Sequence, residues 1–517
     1  MDSQDVATTA GMIRGAYDNS IWSFKGIAYG ADTGGRGRFR PPKPPVPWSG
    51  VRSCVDYGPS CPQMTIEQML GVAPSALAEE YMGVLNTEVA VSEDCLVLNV
   101  WTPDLEAGAA KPVLVWLHGG GWSTGSASWP LYDFTNFARN RDAVVVGINH
   151  RLGILGFLDL SSHGDGYADS GNVGMLDVVA ALEWVRDNIA GFGGDPGNVT
   201  VFGESGGGAK TSTLLAMPSA AGLFHKAFDM SGVSVCAQRP ERSGENAAAV
   251  LDRLGLTGND DRLHELPVER LIEAEVDLPG RNRTVMGRGS GFSPALGPSL
   301  PTDPVAALRE GASTDVVLVT GCTTDEVLAF LGADPDLWSL DDRAARARLA
   351  PLLGADTETV YDRYRAVHPD ESPTSLLLAI ATDGIFRITH VRQAEAKAAA
   401  GGAPVYLYAF AFGQPDPVGR IRAVHGLDMP YAFDNVDIAP IAAGPHAAPL
   451  VEAMAGALAS LAHSGSPGAE SLPEWPAYDS KERATLRVDV ESTVVADFLG
   501  AERECWDGID IMGSTHT

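Results

Sequence analysis

The clearest chemical signal is a serine enclosed by glycines at the end of an apolar, strand-like run, VTVFGESGGG at 199–208. Ser205 has a glycine two positions before it and glycines one and two positions after it. A sharp turn from strand to helix holds a serine in strained backbone angles with its hydroxyl exposed, and side chains on its neighbours would clash there. The pattern therefore predicts a nucleophilic serine, although a chain with 58 glycines also contains incidental serines in glycine-rich turns.

A second glycine-rich segment, LHGGGW at 117–122, follows another apolar run and lies upstream of the serine. Glycines there allow backbone N–H groups to approach the negatively charged oxygen of a tetrahedral intermediate. The order of the two motifs is that of an α/β-hydrolase, in which a further N–H comes from the residue after the nucleophile. We therefore predict an oxyanion hole formed by Gly120, Gly121 and Gly206, with His118 and Gly119 as supporting residues of the same loop.

The nucleophile needs a base, because a serine hydroxyl is barely ionised at neutral pH, and histidine is the usual choice. Among the 11 histidines, His425 comes late in the chain, follows the strand-like run at 405–412 and precedes Gly426. That position fits the chain order serine, acid, histidine. His425 is the predicted base, and the alternative is a loop histidine without a catalytic role.

The acid of such a site should follow a strand that lies between the serine and the histidine. The run VVLVTG at 316–321 has the pattern of a strand, and two adjacent carboxylates, Asp325 and Glu326, come shortly after it. Either could fix the tautomer of the imidazole and stabilise the imidazolium without taking the proton itself. From the residues alone both candidates stay open, and the unused one would be a solvated or helix-capping carboxylate.

The elements that must position these residues alternate along the chain. Strand-like runs at 113–117, 143–148, 199–202, 316–320 and 405–411 are interspersed with helical patterns such as 177–188. This alternation predicts a mainly parallel sheet wrapped by helices. With 517 residues, 45% of them hydrophobic, the chain can bury a large core. Its length alone would allow roughly two to four domains.

Further motifs recur in order along almost the whole chain. They are FKGIAY (24–29), RFRPP (38–42), SEDCLVLN (92–99), HRLGILGF (150–157), NVGMLD (172–177), WVRDNI (184–189), FGGDP (192–196), HGLDMPY (425–431) and WPAY (475–478). Together with the two glycine-rich motifs, they make the chain resemble the type-B carboxylesterases. That family includes bacterial p-nitrobenzyl-type esterases, animal carboxylesterases and cholinesterases.

The resemblance implies a fold and an activity. The fold would be one α/β-hydrolase domain over residues 1–517, with a mainly parallel central sheet flanked by helices and large insertions that form a gorge. The activity would be that of a serine carboxylesterase, which hydrolyses carboxylic esters through a Ser-His-Glu triad and an acyl-enzyme intermediate. We expect a small-molecule ester as the substrate, and neither a cofactor nor a metal.

The resemblance also assigns roles to single residues. The family places its triad acid on the second of the two carboxylates, which selects Glu326, although Val327 stands where the family usually has glycine. Glu204 and Ser231 match supporting positions near the triad. Gly206 stands where the family commonly has alanine. The backbone N–H donor is kept, but the backbone of the turn is expected to be more flexible.

The substrate pocket has four candidate residues. Trp122 and Phe330 are candidate walls, although large aromatic residues near strand ends also belong to hydrophobic cores. In relatives, the neighbourhood before Phe292 shapes the acyl side of the pocket, and here it reads GRGSG at 287–291. Ser290 and Phe292 are therefore candidates as well, and we expect an open acyl side that accepts medium or bulky acyl groups.

Several related functions were weighed against a general esterase. Cholinesterases carry a tryptophan ahead of their EDCL motif that holds a quaternary ammonium by cation–π attraction, and residues 81–92 contain none. A non-catalytic binding member of the family typically lacks a triad residue, whereas all three are present here. Amidases, thioesterases and transacylases use the same triad, so those activities stay open. No amphipathic lid of a true lipase is evident.

The cysteines and the core ion pairs are interpreted through the resemblance. Cys61 and Cys95 match the positions of a disulfide in secreted relatives, and in a reducing cytosol they would be thiols. The other cysteines lack metal-binding spacing and are interpreted as small buried residues. Two ion pairs that brace the family's core are matched by Arg38 with Glu93 and by Arg151 with Asp177.

The composition limits the partners. With 37 basic and 66 acidic residues, the net charge of −29 repels nucleic acid and anionic membranes. No run approaches a transmembrane length, and the acidic start at residues 1–5 lacks a signal-peptide pattern. We expect a cytoplasmic protein, or a secreted one if a signal peptide was removed, that is a monomer or a weak homo-oligomer.

Overall fold

The computed structural model describes residues 2–70, 89–232, 236–256, 261–278, 283–284, 287–288, 291–415 and 420–511. Two features of the sequence analysis fall outside this part of the chain. One is the candidate pocket residue Ser290, and the other is most of the segment 81–92. The inferences that rest on them stay predictions.

The strands account for the central layer of the molecule. They are β1 (Asp2–Ala7), β2 (Met12–Asp18), β3 (Ile21–Ala28), β4 (Val51–Ser53), β5 (Val97–Thr102), β6 (Lys111–Leu117), β7 (Val144–Ile148), β8 (Gly194–Glu204), β9 (Lys226–Met230), β10 (Arg283–Thr284), β11 (Gly287–Arg288), β12 (Val317–Thr323), β13 (Val405–Phe410), β14 (Gln414–Pro415), β15 (Ile421–Arg422), β16 (Ala484–Val488) and β17 (Thr493–Ala496).

Most of these strands form one sheet. Within the described residues it has 13 strands in the order β1-β2-β3-β5-β7-β6-β8-β9-β12-β13-β16-β17, with β4 beside β2. The strands from β7 to β16 in this order are parallel. The outer strands on both sides pair antiparallel, except that β4 pairs parallel with β2. The predicted mainly parallel sheet is therefore confirmed, and its antiparallel flank at the N-terminal edge is an addition.

Helices pack against this sheet. They are α1 (Ile66–Leu70), α2 (Thr135–Arg141), α3 (Gly153–Phe157), α4 (Val173–Asn188), α5 (Gly206–Leu214), α6 (Pro240–Leu254), α7 (Val268–Val276), α8 (Pro304–Arg309), α9 (Leu328–Leu331), α10 (Asp342–Leu353), α11 (Thr357–Val367), α12 (Pro373–Thr382), α13 (Ile388–Ala400), α14 (Met429–Ala432), α15 (Ala447–Ser464) and α16 (Gly500–Glu504). No helix in the described part of the chain is long and apolar enough to cross a membrane.

Strand β6 shows why the sheet lies in the middle of the molecule. Successive side chains of a strand point to opposite faces. Leu114 and Trp116 pack in the core on one face, and Val113, Val115 and Leu117 pack in the core on the other. A nearly continuous apolar run is what a parallel strand needs when helices cover both of its faces.

The parallel arrangement brings the predicted site residues to one edge of the sheet. Ser205 follows β8 directly, Glu326 comes three residues after β12, and His425 lies in the loop after β15, which follows β13 and β14. Because β8, β12 and β13 run in the same direction, their carboxyl ends meet at the same edge. The fold therefore gives one place where residues far apart in sequence can meet.

Candidate active site

The serine lies on a strained turn that neighbouring glycines make sterically feasible. Ser205 has φ 56° and ψ −121°, a conformation that a non-glycine residue adopts rarely. Its N–H donates to Met230 O at 2.9 Å. A Cβ on Gly203 would lie 2.3 Å from Gly207 C, and a Cβ on Gly207 would lie 1.9 Å from Leu117 O. The backbones around the turn are thus too close for side chains at these two positions.

The predicted base is held between a carboxylate and two aromatic rings. Nδ1 of His425 is hydrogen-bonded to Oε2 of Glu326. The imidazole lies 5.0 Å from the ring of Phe330 and 5.2 Å from the ring of Phe386, measured between centroids. Phe386 is carried by a π-helical turn, Asp383–Arg387, between two α-helices, and such turns are frequent at functional sites.

Glu326 is fixed on its other oxygen as well. The side chain is fully buried. Its Oε1 accepts a hydrogen bond from Ser231 Oγ at 2.6 Å and another from the backbone N–H of Thr323 at 2.7 Å. Hydrogen bonds to a buried carboxylate favour its charged form and fix its orientation. The carboxylate is therefore presented to His425 in one defined position.

The neighbouring carboxylate points elsewhere. Asp325 pairs with Arg422, with Nη1 at 2.7 Å from Oδ1, and accepts the backbone N–H of Ala423 at 3.2 Å. These contacts tie the loop before His425 to the loop after β12. Of the two carboxylates that the residues alone left open, the structure places Glu326, and not Asp325, against the imidazole.

Glu204 places a second carboxylate against the base. The residue is 2% exposed, and its Oε1 lies 3.2 Å from Nε2 of His425. Burial raises the pKa of Glu204, His425 opposes the rise, and the charges of Asp428 and Glu326 add to it. Among the described residues, no hydrogen bond joins the imidazole to Ser205; its polar contacts go to carboxylates.

A third carboxylate completes the cluster. Asp428 is fully buried and accepts a hydrogen bond from Tyr408 Oη at 3.0 Å. Burial, and then the charge of Glu326, raises the pKa of Asp428 to about 7. For His425, burial alone would lower the pKa, but Glu204 and Glu326 raise it and the net shift is upward. Glu204, Asp428 and His425 therefore each hold a proton more tightly than the same groups would in water.

The predicted oxyanion loop borders the serine. Gly120 has φ 90° and Gly121 has φ 60°, in the region that glycine favours. A Cβ on Gly119 would lie 3.5 Å from Cβ of Ser205, so the loop passes directly beside this serine. Gly206 is the first residue of α5, where backbone N–H groups have no partner within the helix.

Gly206 has a steric role that the sequence does not reveal. A Cβ at this position would lie 2.2 Å from Gly121 O and 2.5 Å from Gly121 N. An alanine would therefore displace the oxyanion loop. The glycine is explained by this close approach of two backbones, and not only by the added freedom that the sequence suggests.

His118 is buried behind the loop. Its Nδ1 lies 2.9 Å from Gly119 O, which as a carbonyl can only accept, so Nδ1 carries the hydrogen in this contact. The ring stacks on His150 with centroids 5.0 Å apart and planes inclined by 12°. Burial, and then the charge of Lys210, lowers the pKa of His118 to about 3. The imidazole is therefore neutral and acts as a fixed hydrogen-bond donor.

The candidate pocket residues lie in different surroundings. Phe330 contacts His425, as described above. Trp122 is half-buried, and its ring packs edge-on against Phe157 with centroids 5.3 Å apart. Phe292 is 2% exposed and belongs to the core on the same face as Val113. A pocket role for these residues stays a prediction.

The cysteines matched to a family disulfide are both buried free thiols in this structure. Cys95 is hydrogen-bonded to Cys61, and this contact together with burial raises the pKa of Cys95. Cys61 Sγ also accepts the backbone N–H of Leu152 at 3.4 Å. The two side chains are therefore neighbours, and a disulfide between them stays a prediction.

Both matched ion pairs are present. Arg38 Nε and Nη2 each lie 2.6 Å from an oxygen of Glu93. Arg151 donates from Nη2 to Asp177 Oδ1 at 2.6 Å and from Nε to Oδ2 at 2.8 Å. The second pair is almost fully buried, with side-chain exposures of 2% and 0%.

Three residues near the site were not assigned a role from the sequence. Asp428 follows His425 by three positions, a spacing that could have indicated a common helical turn. Lys210 is a charged residue in a run of small residues after the nucleophile, which is an unusual place for a lysine. Phe386 carries no local signal, because its contact with the imidazole depends on the π-helical turn.

Comparison with known proteins identifies relatives over the full length. A family model described as the carboxylesterase family matches residues 2–506. The para-nitrobenzyl esterase of Bacillus subtilis (strain 168) is 37% identical over 513 residues, which cover 98% of this chain and 98% of that protein. The phenmedipham hydrolase of Pseudarthrobacter oxydans is 32% identical over 500 residues, which cover 95% of this chain and 96% of that protein.

A solved structure agrees with these matches. A carboxylesterase of Geobacillus stearothermophilus superposes with a TM-score of 0.84 at 35% identity, covering 97% of this chain and 99% of its own. Such carboxylesterases have the α/β-hydrolase fold, and the sheet order and helices described above agree with it. The predicted fold is confirmed.

Proposed function

Because the chain belongs to the carboxylesterase family, we propose that Ser205, His425 and Glu326 form the triad with which it hydrolyses carboxylic esters. The observation that carries this proposal is the Glu326–His425 contact at the sheet edge where the strained serine turn also lies. A buried carboxylate against Nδ1 leaves Nε2 as the nitrogen that exchanges a proton with the nucleophile.

The chemistry proceeds in two halves. Ser205 Oγ attacks the ester carbonyl carbon while His425 Nε2 takes the hydroxyl proton, and the carbonyl oxygen becomes an oxyanion. The intermediate collapses, the carbon–oxygen bond to the alcohol breaks, and the imidazolium protonates the leaving alcohol. Water then attacks the acyl-enzyme in the same way and releases the carboxylic acid and the free serine.

The oxyanion is stabilised in both halves by backbone N–H groups. We assign these donors to Gly120, Gly121 and Gly206, because the loop and the first turn of α5 lie against each other beside the serine. Removing one donor of this kind typically lowers turnover by roughly a hundred- to a thousandfold. Fixed donors are effective because they need no reorganisation when the charge develops.

The imidazole must turn from Glu204 to the serine during catalysis. In the structure its Nε2 faces Glu204 Oε1 at 3.2 Å, and catalytic hydrogen bonds are often long or misaligned before substrate binds. The charge of Glu204 raises the pKa of His425, so an imidazole that turns away from Glu204 gives up its proton more readily. The neutral imidazole can then accept the proton of Ser205.

The substrate range and cellular setting are also proposals. We assign medium to bulky acyl esters as substrates, and small-molecule esters as the partners in place of nucleic acid or membranes, which the net charge of −29 disfavours. One catalytic domain over residues 1–517 acts as a monomer or weak homo-oligomer in the cytoplasm. A secreted form would be accompanied by a Cys61–Cys95 disulfide.

The test of the proposal is covalent labelling of the serine together with hydrolysis. A fluorophosphonate probe should add to Ser205 in the wild type, as located by peptide mass spectrometry, and Ser205→Ala should lose both labelling and hydrolysis of p-nitrophenyl butyrate. Ser161→Ala, at an exposed position, should behave as wild type. Full activity of Ser205→Ala would contradict the mechanism. Matched thioester and anilide substrates distinguish an esterase from a thioesterase or amidase.

A further inference from the structure

Lys210 is a buried lysine with no acidic partner among the described residues. It lies five positions after the nucleophile, within α5, and its side chain is fully buried. Within the described residues its contacts include no carboxylate, although the chain has 66 acidic residues. Burying an unpaired ammonium is costly, and burial lowers the pKa of Lys210 to about 7. The contacts that the lysine does make therefore call for an explanation.

All of these contacts are to one loop. The Nζ of Lys210 donates to His118 O and to Gly121 O, each at 3.0 Å. It also lies 5.6 Å from the centroid of the Trp122 ring, within the range of a cation–π interaction. An ammonium has three N–H donors. Two of these donors are bonded to the carbonyls of His118 and Gly121, and the part of the ammonium that carries the third faces the Trp122 ring.

The two carbonyls bracket the segment that supplies the oxyanion donors. The carbonyls between them are held as well: Gly119 O by His118 Nδ1 at 2.9 Å, and Gly120 O by the N–H of Thr124 at 3.0 Å. In a planar trans peptide, C=O and N–H point in opposite directions. The peptides between the two that Lys210 holds carry the N–H groups of Gly120 and Gly121, whose carbonyl sides are bonded within the loop. Lys210 therefore fixes the two ends of the donor segment.

The same carbonyl that Lys210 holds also lies against Gly206. A Cβ at Gly206 would be 2.2 Å from Gly121 O, so the loop can be drawn this close to α5 only because residue 206 has no side chain. One helix thus carries both the donor N–H of Gly206 and the anchor of the loop. The separation between the two parts of the oxyanion hole is then set by a rigid element.

We propose that Lys210 is a positioning residue for ester hydrolysis, which clamps the His118–Gly121 segment so that the oxyanion hole is preformed. This inference rests on the proposed function, since it assigns no role to Lys210 apart from turnover at Ser205. Lys210 does not touch substrate. It acts by fixing both ends of the loop segment that carries the Gly120 and Gly121 donors, and its effect belongs to the transition state, in which the oxyanion exists.

The experiment compares Lys210→Met with a matched control, Lys397→Met. Lys397 is also fully buried and donates to a backbone carbonyl, Ser313 O at 2.8 Å, but it lies on α13 and contacts no residue of the loop. For Lys210→Met we expect kcat per titrated active site to fall by roughly ten- to a hundredfold, with KM changed by less than about threefold. Lys397→Met should lower the melting temperature and leave both constants unchanged.

A transition-state analogue separates positioning from simple destabilisation. Ser205 Oγ adds to the carbonyl carbon of an alkyl trifluoromethyl ketone. The ketone oxygen then occupies the oxyanion position, and the proton of the serine hydroxyl passes to His425. Its affinity should fall in Lys210→Met by about the same factor as kcat/KM. Where Lys210→Met folds poorly, Lys210→Gln retains one donor and should show a smaller loss of the same kind.

A double-mutant cycle tests whether Lys210 and Gly206 act on the same carbonyl. Gly206→Ala alone should displace Gly121 and reduce kcat, but in the Lys210→Met background the loop is already released. The combined loss should therefore be clearly smaller than the product of the single losses. Losses that multiply, an unchanged analogue affinity, or an equal loss in Lys397→Met would overturn the proposal. Retained activity in Ser205→Ala would instead overturn the proposed function.

Discussion

Glu204 Oε1 lies 3.2 Å from Nε2 of His425, the nitrogen that the proposed mechanism assigns to proton exchange with Ser205. The base is therefore in contact with carboxylates through both ring nitrogens, because Nδ1 is bonded to Glu326. Each negative charge stabilises the imidazolium. The neutral base that attack requires is thus harder to form than it would be with a single acidic partner.

Glu204→Gln should shift the acidic limb of the pH profile. Removing the charge lowers the pKa of His425, whose net shift in the wild type is upward, so the neutral base persists to lower pH. The acidic limb of kcat/KM should move down by roughly one pH unit or more. Esterase assays between pH 4 and pH 9 measure this limb. A limb that stays in place, or moves up, would contradict the assigned contact.

Replacing each of the two adjacent carboxylates should separate their roles. Glu326→Gln leaves His425 without its charged partner, and kcat should fall by about a thousandfold or more. Asp325→Asn weakens the contact with Arg422, away from the imidazole, so kcat should change only a few-fold. Steady-state kinetics on p-nitrophenyl butyrate at saturating substrate measure both. A reversed order would identify Asp325 as the acid.

The acyl preference follows from the glycine-rich stretch before Phe292. In a pocket with an open acyl side, a longer acyl chain should bury more methylene groups. Each buried methylene contributes about 0.8 kcal/mol to binding. In a p-nitrophenyl series from acetate to octanoate, kcat/KM should therefore rise or stay level between acetate and butyrate. A steep loss over that interval would show a small acyl pocket and exclude the proposed range.

The elements that carry the site are readable from the sequence because they depend on local patterns. Apolar runs such as 113–117 require burial on both faces, which defines parallel strands. The glycines around Ser205 require close backbone approach. The serine turn is therefore recognisable without a structure, and so is the sheet edge at which the predicted acid and base meet.

The finer assignments depend on contacts between distant segments. The residues alone do not distinguish Asp325 from Glu326, whereas the contacts of Asp325 with Arg422 and of Glu326 with His425 do. Lys210 finds its partners on a loop about 90 positions earlier in the chain. Local propensity contains no information on such contacts, because tertiary packing determines them.

The buried pair of Arg151 and Asp177 should be important for stability. Asp177 accepts three hydrogen bonds from Arg151, one of them from its backbone N–H at 3.0 Å. Removing one partner leaves a buried charge uncompensated, and Asp177→Asn should therefore lower the free energy of unfolding by about 3 kcal/mol. Urea denaturation followed by circular dichroism measures the change where unfolding is reversible.

The matched control lies on the same helix. Arg186 and Asp187 form an ion pair whose side chains are 51% and 45% exposed, so Asp187→Asn removes an equal charge from α4 at a hydrated position. Its cost should stay below about 1 kcal/mol. Equal effects of the two substitutions would mean that net charge on the helix matters. A large loss of stability confined to Asp177→Asn would mean that burial of the ion pair matters. Only in that variant is the remaining charge, on Arg151, kept away from water.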